Sequence, residues 1–351
     1  MQPPADTFDI RDSHRFDEAG LERFMKESVE GFQGPLSVRQ FEGGQSNPTY
    51  YVQDAKRQYV LRRKPPGKLL PSAHAVDREY RIITALADTD VPVPKTYALC
   101  QDDAVIGTWF YIMEYLPGRI FTNPLMPGVT PQARAAIVDA MNDVLARFHQ
   151  VDYNAVGLAD FGKPGNYFTR QIGRWTKQYR ASETQHIAEM ERLIEWLPEN
   201  IPADDNTTLV HGDYRLGNMI IHPTESRVSA VLDWELATLG HPLADLAYNC
   251  TLYRMPHDSL QGFVGVDLAA LGYPSEEDYL AAYCRRTGRE GIPHWEFYLS
   301  FSLFRLAAIC QGIMGRFLDG TANHPEAEER GKRAPKLAKV GWDVVAPIAG
   351  G

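Results

Sequence analysis

The stretch LVHGDYRLGNMIIHPTESRVSAVLDWE, residues 209–235, places polar side chains at the ends of two short apolar runs. His211, Asp213, Asn218 and Asp233 stand at positions where a pair of buried strands would favour apolar residues. A polar group without a partner costs free energy in a hydrophobic core. The placement of these four residues therefore indicates chemistry.

The same stretch has the form H-x-D-x-x-x-x-N from His211 to Asn218, and Asp-Trp-Glu follows at 233–235 after a gap of hairpin length. A phosphoryl-transfer site requires a carboxylate to orient the acceptor hydroxyl. It also requires an amide oxygen and a second carboxylate to hold Mg²⁺ against the nucleotide phosphates. All three groups are present here in that order.

Composition narrows the class of protein. The 351 residues carry a net charge of -9, which argues against a nucleic-acid binder because such proteins neutralise phosphates with a basic surface. The four cysteines have no C-x-x-C spacing, and the polar, acidic N-terminus is unlike a signal peptide. The apolar segment 299–315 contains Arg305 and Gln311, which is too polar for a membrane span. These features predict a soluble, cytoplasmic protein without a membrane or nucleic-acid partner.

Hydrophobic periodicity divides the chain into two parts. Residues 1–115 read as a helix at 16–31, strands at 36–42, 49–54 and 58–63, a helix at 73–88, and strands at 95–101 and 108–115. Leu116-Pro117-Gly118 marks a hinge. Residues 116–351 favour helices at 131–150, 167–180, 182–197, 243–253, 275–287, 294–317 and 325–340. The layout predicts a small antiparallel-sheet lobe followed by a larger, mainly helical lobe, an α+β architecture.

The turn between the first two predicted strands is rich in small residues. Gly43, Gly44, Gln45, Ser46 and Asn47 would let backbone N–H groups approach an anion closely. The turn is not a Walker A loop, because no Gly-Lys-Ser/Thr follows and the next element is a strand. An ordinary hairpin turn remains the alternative.

The central motif resembles the aminoglycoside phosphotransferase and choline kinase family of small-molecule kinases. HGDYRLGN is similar to the family's catalytic loop, and DWE is similar to the metal-binding motif that protein kinases write as D-F-G. FEGGQSNPTY, YVLRRKPPG and VLDWELATLGHPLADLAY most resemble the kinase-like domain found fused ahead of acyl-CoA dehydrogenases. The resemblance implies a bilobal protein-kinase-like fold that uses ATP and Mg²⁺.

Roles for the central residues follow from that resemblance. It implies that Asp213 accepts or orients the proton of the substrate hydroxyl, and that Asn218 and Asp233 bind Mg²⁺. Arg215 stands where protein kinases commonly place a lysine that contacts the transferring phosphate. We therefore expect Arg215 to stabilise charge on the γ-phosphoryl group. His211 is expected to support the loop rather than to react.

The nucleotide site in the first lobe is implied in the same way. Glu79 would pair with the cation of the third strand, and the backbone at Glu114 and Leu116 would bind the adenine. The turn at 43–47 would cover the phosphates. One departure is clear: Arg62 stands where the family usually has lysine, and a guanidinium differs from an ammonium group in geometry and bulk. Lys64 alternates onto the same strand face as Arg62 and is the other candidate cation.

Two residues of the helical part are further candidates for a structural or binding role. Asp245, in HPLADLA, resembles the family's structural anchor at the start of the next helix. Arg305 lies within an apolar helical stripe, where a charge must pair or reach solvent. It could form a buried structural ion pair, or it could bind an anionic acceptor.

The function expected from these features is transfer of the γ-phosphoryl group of MgATP to a hydroxyl of a small molecule. The link to dehydrogenase-fused domains favours a hydroxy acid or hydroxyacyl-CoA over an aminoglycoside. The alternative is a nucleotide-binding pseudokinase or regulatory module, for which the substitution at Arg62 is the one argument. The motifs leave the acceptor and the oligomeric state open.

Overall fold

The computed structural model describes residues 3–42, 47–65, 74–322 and 325–349. The chain forms two compact units. The first contains Met1–Arg119, Val156–Leu158 and Met219–Ala237, and the second contains Ile120–Ala155, Ala159–Asn218 and Thr238–Gly351.

The predicted division at residues 115 and 116 assigns the hairpin after Asn218 to the second lobe, whereas the structure places it in the first unit. The reason is a backbone pairing: the Arg119 N–H donates to the Ile221 carbonyl at 2.7 Å, and the Ile221 N–H donates to the Arg119 carbonyl at 2.9 Å.

The elements are numbered in chain order. The strands are β1 Thr7–Phe8, β2 Ser37–Phe41, β3 Thr49–Gln53, β4 Gln58–Arg63, β5 Thr96–Cys100, β6 Phe110–Glu114, β7 Thr208–Val210, β8 Met219–Ile221, β9 Val228–Val231 and β10 Thr238–Gly240. The helices are α1 Glu18–Ser28, α2 Val76–Leu86, α3 Asp103–Ile106, α4 Pro131–His149, α5 Tyr167–Ala181, α6 Ala188–Glu199, α7 Pro242–Cys250, α8 His257–Leu260, α9 Leu268–Leu271, α10 Glu276–Thr287, α11 Trp295–Leu318, α12 Ala327–Gly331 and α13 Ala334–Ala349.

The first unit is built on an antiparallel sheet with the order β1-β2-β3-β4-β6-β5. Alternation along β4 decides which residues face the core. Tyr59 and Leu61 are fully buried in a cluster with α1, and Arg63 on the same face stacks over the rings of Phe16 and Tyr50. Arg62 points to the opposite face and is therefore directed away from that cluster.

The second unit is mainly helical. Helix α11 packs against α5, α6, α7, α12 and α13, while β7 and β10 form a short antiparallel pair. By length and composition alone α11 could cross a bilayer, but 72% of its most apolar 18-residue window is buried. Its packing is that of a core helix.

Two predicted helices begin or break at other residues. The helix predicted at 182–197 is α6, which begins at Ala188, because the Ser182 hydroxyl bonds to the carbonyls of Gln178 and Tyr179 and so belongs to the end of α5. The helix predicted at 325–340 is divided into α12 and α13. The division follows Gly331, where a Cβ atom would lie only 2.8 Å from the side chain of Met314.

Candidate active site

The loop that follows β7 is fixed by a buried carboxylate. Asp245 on α7 accepts hydrogen bonds from the backbone N–H groups of His211, at 2.5 Å, and Gly212, at 2.8 Å. Burial alone would raise the pKa of Asp245, but the His149 ring, whose Nε2 lies 3.5 Å from Oδ2, and the backbone N–H of His211 outweigh it and lower the pKa. Asp245 therefore remains a carboxylate and holds the loop backbone.

His211 supports the next residue of the loop. Its side chain is fully buried, and its Nδ1 accepts a hydrogen bond from the Asp213 backbone N–H at 3.2 Å. A buried ring that accepts from the backbone is suited to setting the loop conformation. The contact fits the supporting role expected from the sequence.

The Asp213 carboxylate is held by side-chain donors at both oxygens. Its Oδ1 accepts from the Tyr248 hydroxyl. Its Oδ2 accepts from Asn218 Nδ2 at 2.8 Å and from Arg215 Nε at 3.3 Å. The Asp213 side chain is still 22% exposed. The structure thus brings Asp213, Arg215 and Asn218 together, and the carboxylate is both oriented and accessible.

Asn218 is also oriented by this arrangement. Its Nδ2 donates a second bond to the Asp213 backbone carbonyl at 2.9 Å. The amide nitrogen is therefore used within the loop, and in the described part of the chain no donor contacts the Asn218 Oδ1 oxygen. Amide oxygens are among the ligands that Mg²⁺ accepts, so the free Oδ1 fits the predicted metal-binding role.

Tyr248 was missed by reasoning from the sequence. It lies on α7 three residues after Asp245, and residues at i and i+3 share one face of a helix. The spacing within HPLADLAY was the available signal, because the face of α7 that carries Asp245 also contacts the loop after β7.

Arg305 does not form the predicted buried ion pair, and its binding of an anionic acceptor stays a prediction. The side chain is buried, and Nη2 donates to the Gly212 carbonyl at 2.5 Å. Its guanidinium carbon lies 5.6 Å from the ring centroids of both Trp175 and Tyr248. In the described residues no carboxylate lies within ion-pair distance of it. Arg305 is thus held by a carbonyl and two rings, because cations bind to aromatic faces.

A second cluster lies in the sheet unit. Arg62 Nε lies 2.8 Å from Glu79 Oε2, close enough for an ion pair although not aligned as a hydrogen bond. Arg62 Nη2 donates to Asp233 Oδ1 at 2.6 Å. The predicted pair between Glu79 and the strand cation is therefore present. Lys64 does not share it, since Lys64 Nζ lies 4.0 Å from the centroid of the Trp109 ring.

Besides this ion pair, Glu79 accepts two hydrogen bonds. Asn47 Nδ2 donates to its Oε1 at 2.8 Å, and the Tyr111 hydroxyl donates to its Oε2 at 3.1 Å. Burial raises the pKa of Glu79 even though the charge of Arg62 opposes the shift. The side chain of Asn47, predicted as part of a phosphate-covering turn, is thus bound to Glu79. Gly43, Gly44, Gln45 and Ser46 lie outside the described residues.

Asp233 is presented by a constrained turn. It follows the β8–β9 hairpin with φ +65°, in the left-handed region that aspartate tolerates better than most residues. The next residue, Trp234, is buried and donates from Nε1 to the Val231 carbonyl at 3.0 Å. The Asp233 side chain is 38% exposed.

Three carboxylates of the sheet unit form a cluster. Ligand oxygens of Glu79, Asp233 and Glu235 lie within 4.8 Å of one another, and such a set of hard oxygen donors suits a divalent cation.

The residues predicted to bind adenine lie at the end of β6. Glu114 is the last residue of the strand, and its N–H donates to the Lys95 carbonyl at 2.8 Å. Leu116 lies two residues further on, and within the described residues its N–H donates to no backbone carbonyl. Adenine binding by Glu114 and Leu116 stays a prediction.

Comparison with known proteins assigns the family. Residues 37–298 match the sequence model of the phosphotransferase enzyme family, which is more than half of the chain. The chain belongs to that family. It is a small-molecule phosphotransferase with a mixed α/β, kinase-like fold, as the sequence predicts.

Individual relatives agree with this assignment. A crystal structure of a candidate aminoglycoside phosphotransferase from Ralstonia eutropha JMP134 is 52% identical, covers 95% of this chain and 99% of its own, and has a TM-score of 0.88. Aminoglycoside phosphotransferase APH(4)-Ia, in a ternary complex with AMP-PNP and hygromycin B, is 16% identical with a TM-score of 0.60 over 93% of this chain and 99% of its own. The second likeness shows the fold alone.

The phosphotransferase also resembles part of a longer protein. Acyl-CoA dehydrogenase family member 10 of Mus musculus is 50% identical over 337 residues, which cover 95% of this chain but 32% of that protein. The chain spans less than half the length of the curated relatives named as acyl-CoA dehydrogenases. This matches the resemblance to dehydrogenase-fused kinase-like domains.

Proposed function

We propose that this phosphotransferase moves the γ-phosphoryl group of MgATP to a hydroxyl of a small anionic acceptor, such as a hydroxy acid or a hydroxyacyl-CoA. The observation that carries the proposal is the Asp213 carboxylate, which is oriented by Tyr248, Asn218 and Arg215 and remains partly exposed. A carboxylate that is both oriented and accessible can accept the proton of an acceptor hydroxyl.

In the proposed reaction the acceptor oxygen forms a bond to the γ-phosphorus while the bond from that phosphorus to the β,γ-bridging oxygen breaks. The acceptor proton passes to Asp213, and ADP leaves with the bond electrons. Arg215, whose side chain is 51% exposed beside Asp213, would stabilise the charge on the transferring group.

Each unit holds an oxygen ligand that suits a divalent cation. In the helical unit Asn218 Oδ1 accepts no hydrogen bond from a described residue, and in the sheet unit the same is true of Asp233 Oδ2. When bound, Mg²⁺ would neutralise charge on the nucleotide phosphates. Arg62 holds Asp233 through its other oxygen and supplies a further positive charge, so a phosphate-binding role for Arg62 is compatible with its contacts.

The charges around Asp213 support the anionic acceptor. Arg215 contacts its carboxylate, and Arg305 donates to the carbonyl of Gly212, one residue before Asp213. These two guanidinium groups would repel a polycation and attract a carboxylate or phosphate. The names of the curated relatives, which are acyl-CoA dehydrogenases, separately favour an acyl or acyl-CoA acceptor.

A screen of ADP release tests the proposal. Purified protein with MgATP is offered hydroxy acids, hydroxyacyl-CoAs, amino alcohols and aminoglycosides, and Asp213→Asn serves as the blank. We expect ADP formation that depends on a hydroxylated anionic acceptor. Tight MgATP binding without ADP formation for any acceptor would instead support a nucleotide-binding module without turnover. Turnover with aminoglycosides alone would contradict the acceptor class.

A further inference from the structure

Helix α7 meets the catalytic loop with two residues of one face. Asp245 holds the backbone N–H groups of His211 and Gly212, and Tyr248, three residues later, reaches the side chain of Asp213. The first contact fixes where the loop runs. The second fixes how one side chain of the loop is turned.

The two oxygens of Asp213 are held differently. Asn218 and Arg215 both donate to Oδ2, whereas Tyr248 is the only described residue that donates to Oδ1. The terminal torsion of an aspartate is broad, so a carboxylate held at one oxygen can still rotate. A donor at the second oxygen fixes the carboxylate plane. One lone pair of Oδ1 then remains in a defined direction for the proton of an acceptor.

Tyr248 is itself held in place. The Arg305 guanidinium lies over its ring, and Arg305 also donates to the Gly212 carbonyl, one residue before Asp213. Burial, and after it the charge of Asp213, holds the pKa of Tyr248 well above its ordinary value. The phenol therefore stays protonated and remains a donor to Asp213.

We infer that Tyr248 is a positioning residue for phosphoryl transfer: its hydroxyl sets the rotation of the Asp213 carboxylate, and Arg305 keeps the Tyr248 ring in register with the loop. The inference rests on the proposed function, because it assigns Asp213 to the acceptor hydroxyl. It also explains why a buried arginine without a carboxylate partner in the described residues is placed beside the loop.

The test compares Tyr248→Phe with Tyr253→Phe. Both substitutions remove a hydroxyl and keep the ring, and Tyr253 donates at 3.1 Å to the Pro274 carbonyl, outside the site. Tyr248→Phe should lower kcat for the acceptor roughly 10- to 100-fold, as expected for the loss of a hydrogen bond to a charged, positioned group. Its Kd for MgATP and its midpoint of thermal unfolding should match those of Tyr253→Phe, which should retain wild-type kcat.

A crystal structure of each variant gives a readout that does not depend on turnover. In Tyr248→Phe the Asp213 carboxylate should rotate or adopt alternate conformers, whereas in Tyr253→Phe it should keep its orientation. An unrotated Asp213 in Tyr248→Phe, or equal kcat values for the two variants, overturns the inference. A wild-type protein without turnover contradicts the proposed function instead, and the crystallographic comparison still decides the role of Tyr248.

Discussion

Asp213 in the helical unit and Asp233 in the sheet unit both come from the stretch 209–235, but different kinds of group hold their carboxylates. Asp213 is held by a phenol, an amide and a half-exposed arginine. Asp233 is held by Arg62, whose side chain is only 12% exposed and which also pairs with Glu79. The first is fixed mainly by neutral donors, and the second by a buried cation.

This difference indicates two kinds of chemistry. Neutral donors orient a carboxylate while leaving it able to accept a proton, which suits a residue that meets an acceptor hydroxyl. A buried guanidinium that binds one oxygen of a carboxylate leaves the second oxygen for another ligand, which suits a residue that would bind a divalent cation. Each of the following substitutions should affect one of these carboxylates and leave the other unchanged.

Asp233→Asn should have the largest of the three effects. The amide keeps an oxygen but loses the charge that Arg62 and a divalent cation would share, so kcat should fall roughly 100- to 1,000-fold and half-saturation by Mg²⁺ should move to higher concentration. Titration of turnover with Mg²⁺ measures both. The matched control is Asp9→Asn, because Asp9 also pairs with an arginine, Arg39 at 3.0 Å, but lies outside the cluster of oxygen donors. Equal effects of the two substitutions would contradict a specific role for Asp233.

Arg215→Ala should have an intermediate effect. Loss of a cation that stabilises the transferring phosphoryl group should lower kcat roughly 10- to 100-fold, with little change in the KM for ATP. Arg227→Ala is a close control. Each of the two arginines pairs with the carboxylate two residues before it, Arg227 with Glu225 and Arg215 with Asp213. Their side chains are similarly exposed, at 56% for Arg227 and 51% for Arg215. Unchanged turnover in Arg215→Ala would reduce Arg215 to a surface ion pair.

Arg62→Lys should have the smallest effect on turnover and a clear effect on stability. Lysine restores the residue usual in the family, so kcat should change by less than about threefold, but one ammonium group cannot reproduce both contacts of the guanidinium. The free energy of unfolding should fall by about 1–2 kcal/mol in urea titrations. Arg180→Lys is the control, since Arg180 also pairs with two carboxylates but its side chain is 42% exposed. This substitution should lower the free energy of unfolding by less than about 0.5 kcal/mol. Equal stability of the two variants would contradict the account.

Much of the fold was predictable from the sequence because its signals are periodic. Strand β4 was predicted over the residues it occupies, and α4, α5 and α10 each lie within a residue of their predicted bounds. The grouping of the β8–β9 hairpin with the sheet unit was not predicted, because its pairing with Arg119 is between residues far apart in sequence. A periodic pattern carries no information on such a pairing. The division into lobes at residues 115 and 116 stays a prediction.

The candidate site was predictable where residues lie close together in sequence, as at Asp213, Arg215 and Asn218. The Arg62–Glu79 pair followed from the resemblance. For Tyr248 the only signal in the sequence was its spacing from Asp245, and for Arg305 the sequence showed a charge in an apolar helix but not its partners. The contacts of both residues join α7, α11 and the loop after β7, which a periodic pattern does not reveal.

The most direct test of the central claim is ³¹P NMR of the reaction of MgATP with the best acceptor from the screen, using the wild-type protein and Asp213→Asn. We expect a new phosphomonoester signal for the wild type. Asp213→Asn should bind MgATP with similar affinity but form the ester at least about 1,000-fold more slowly. Ester formation by Asp213→Asn at a rate near that of the wild type would contradict the account.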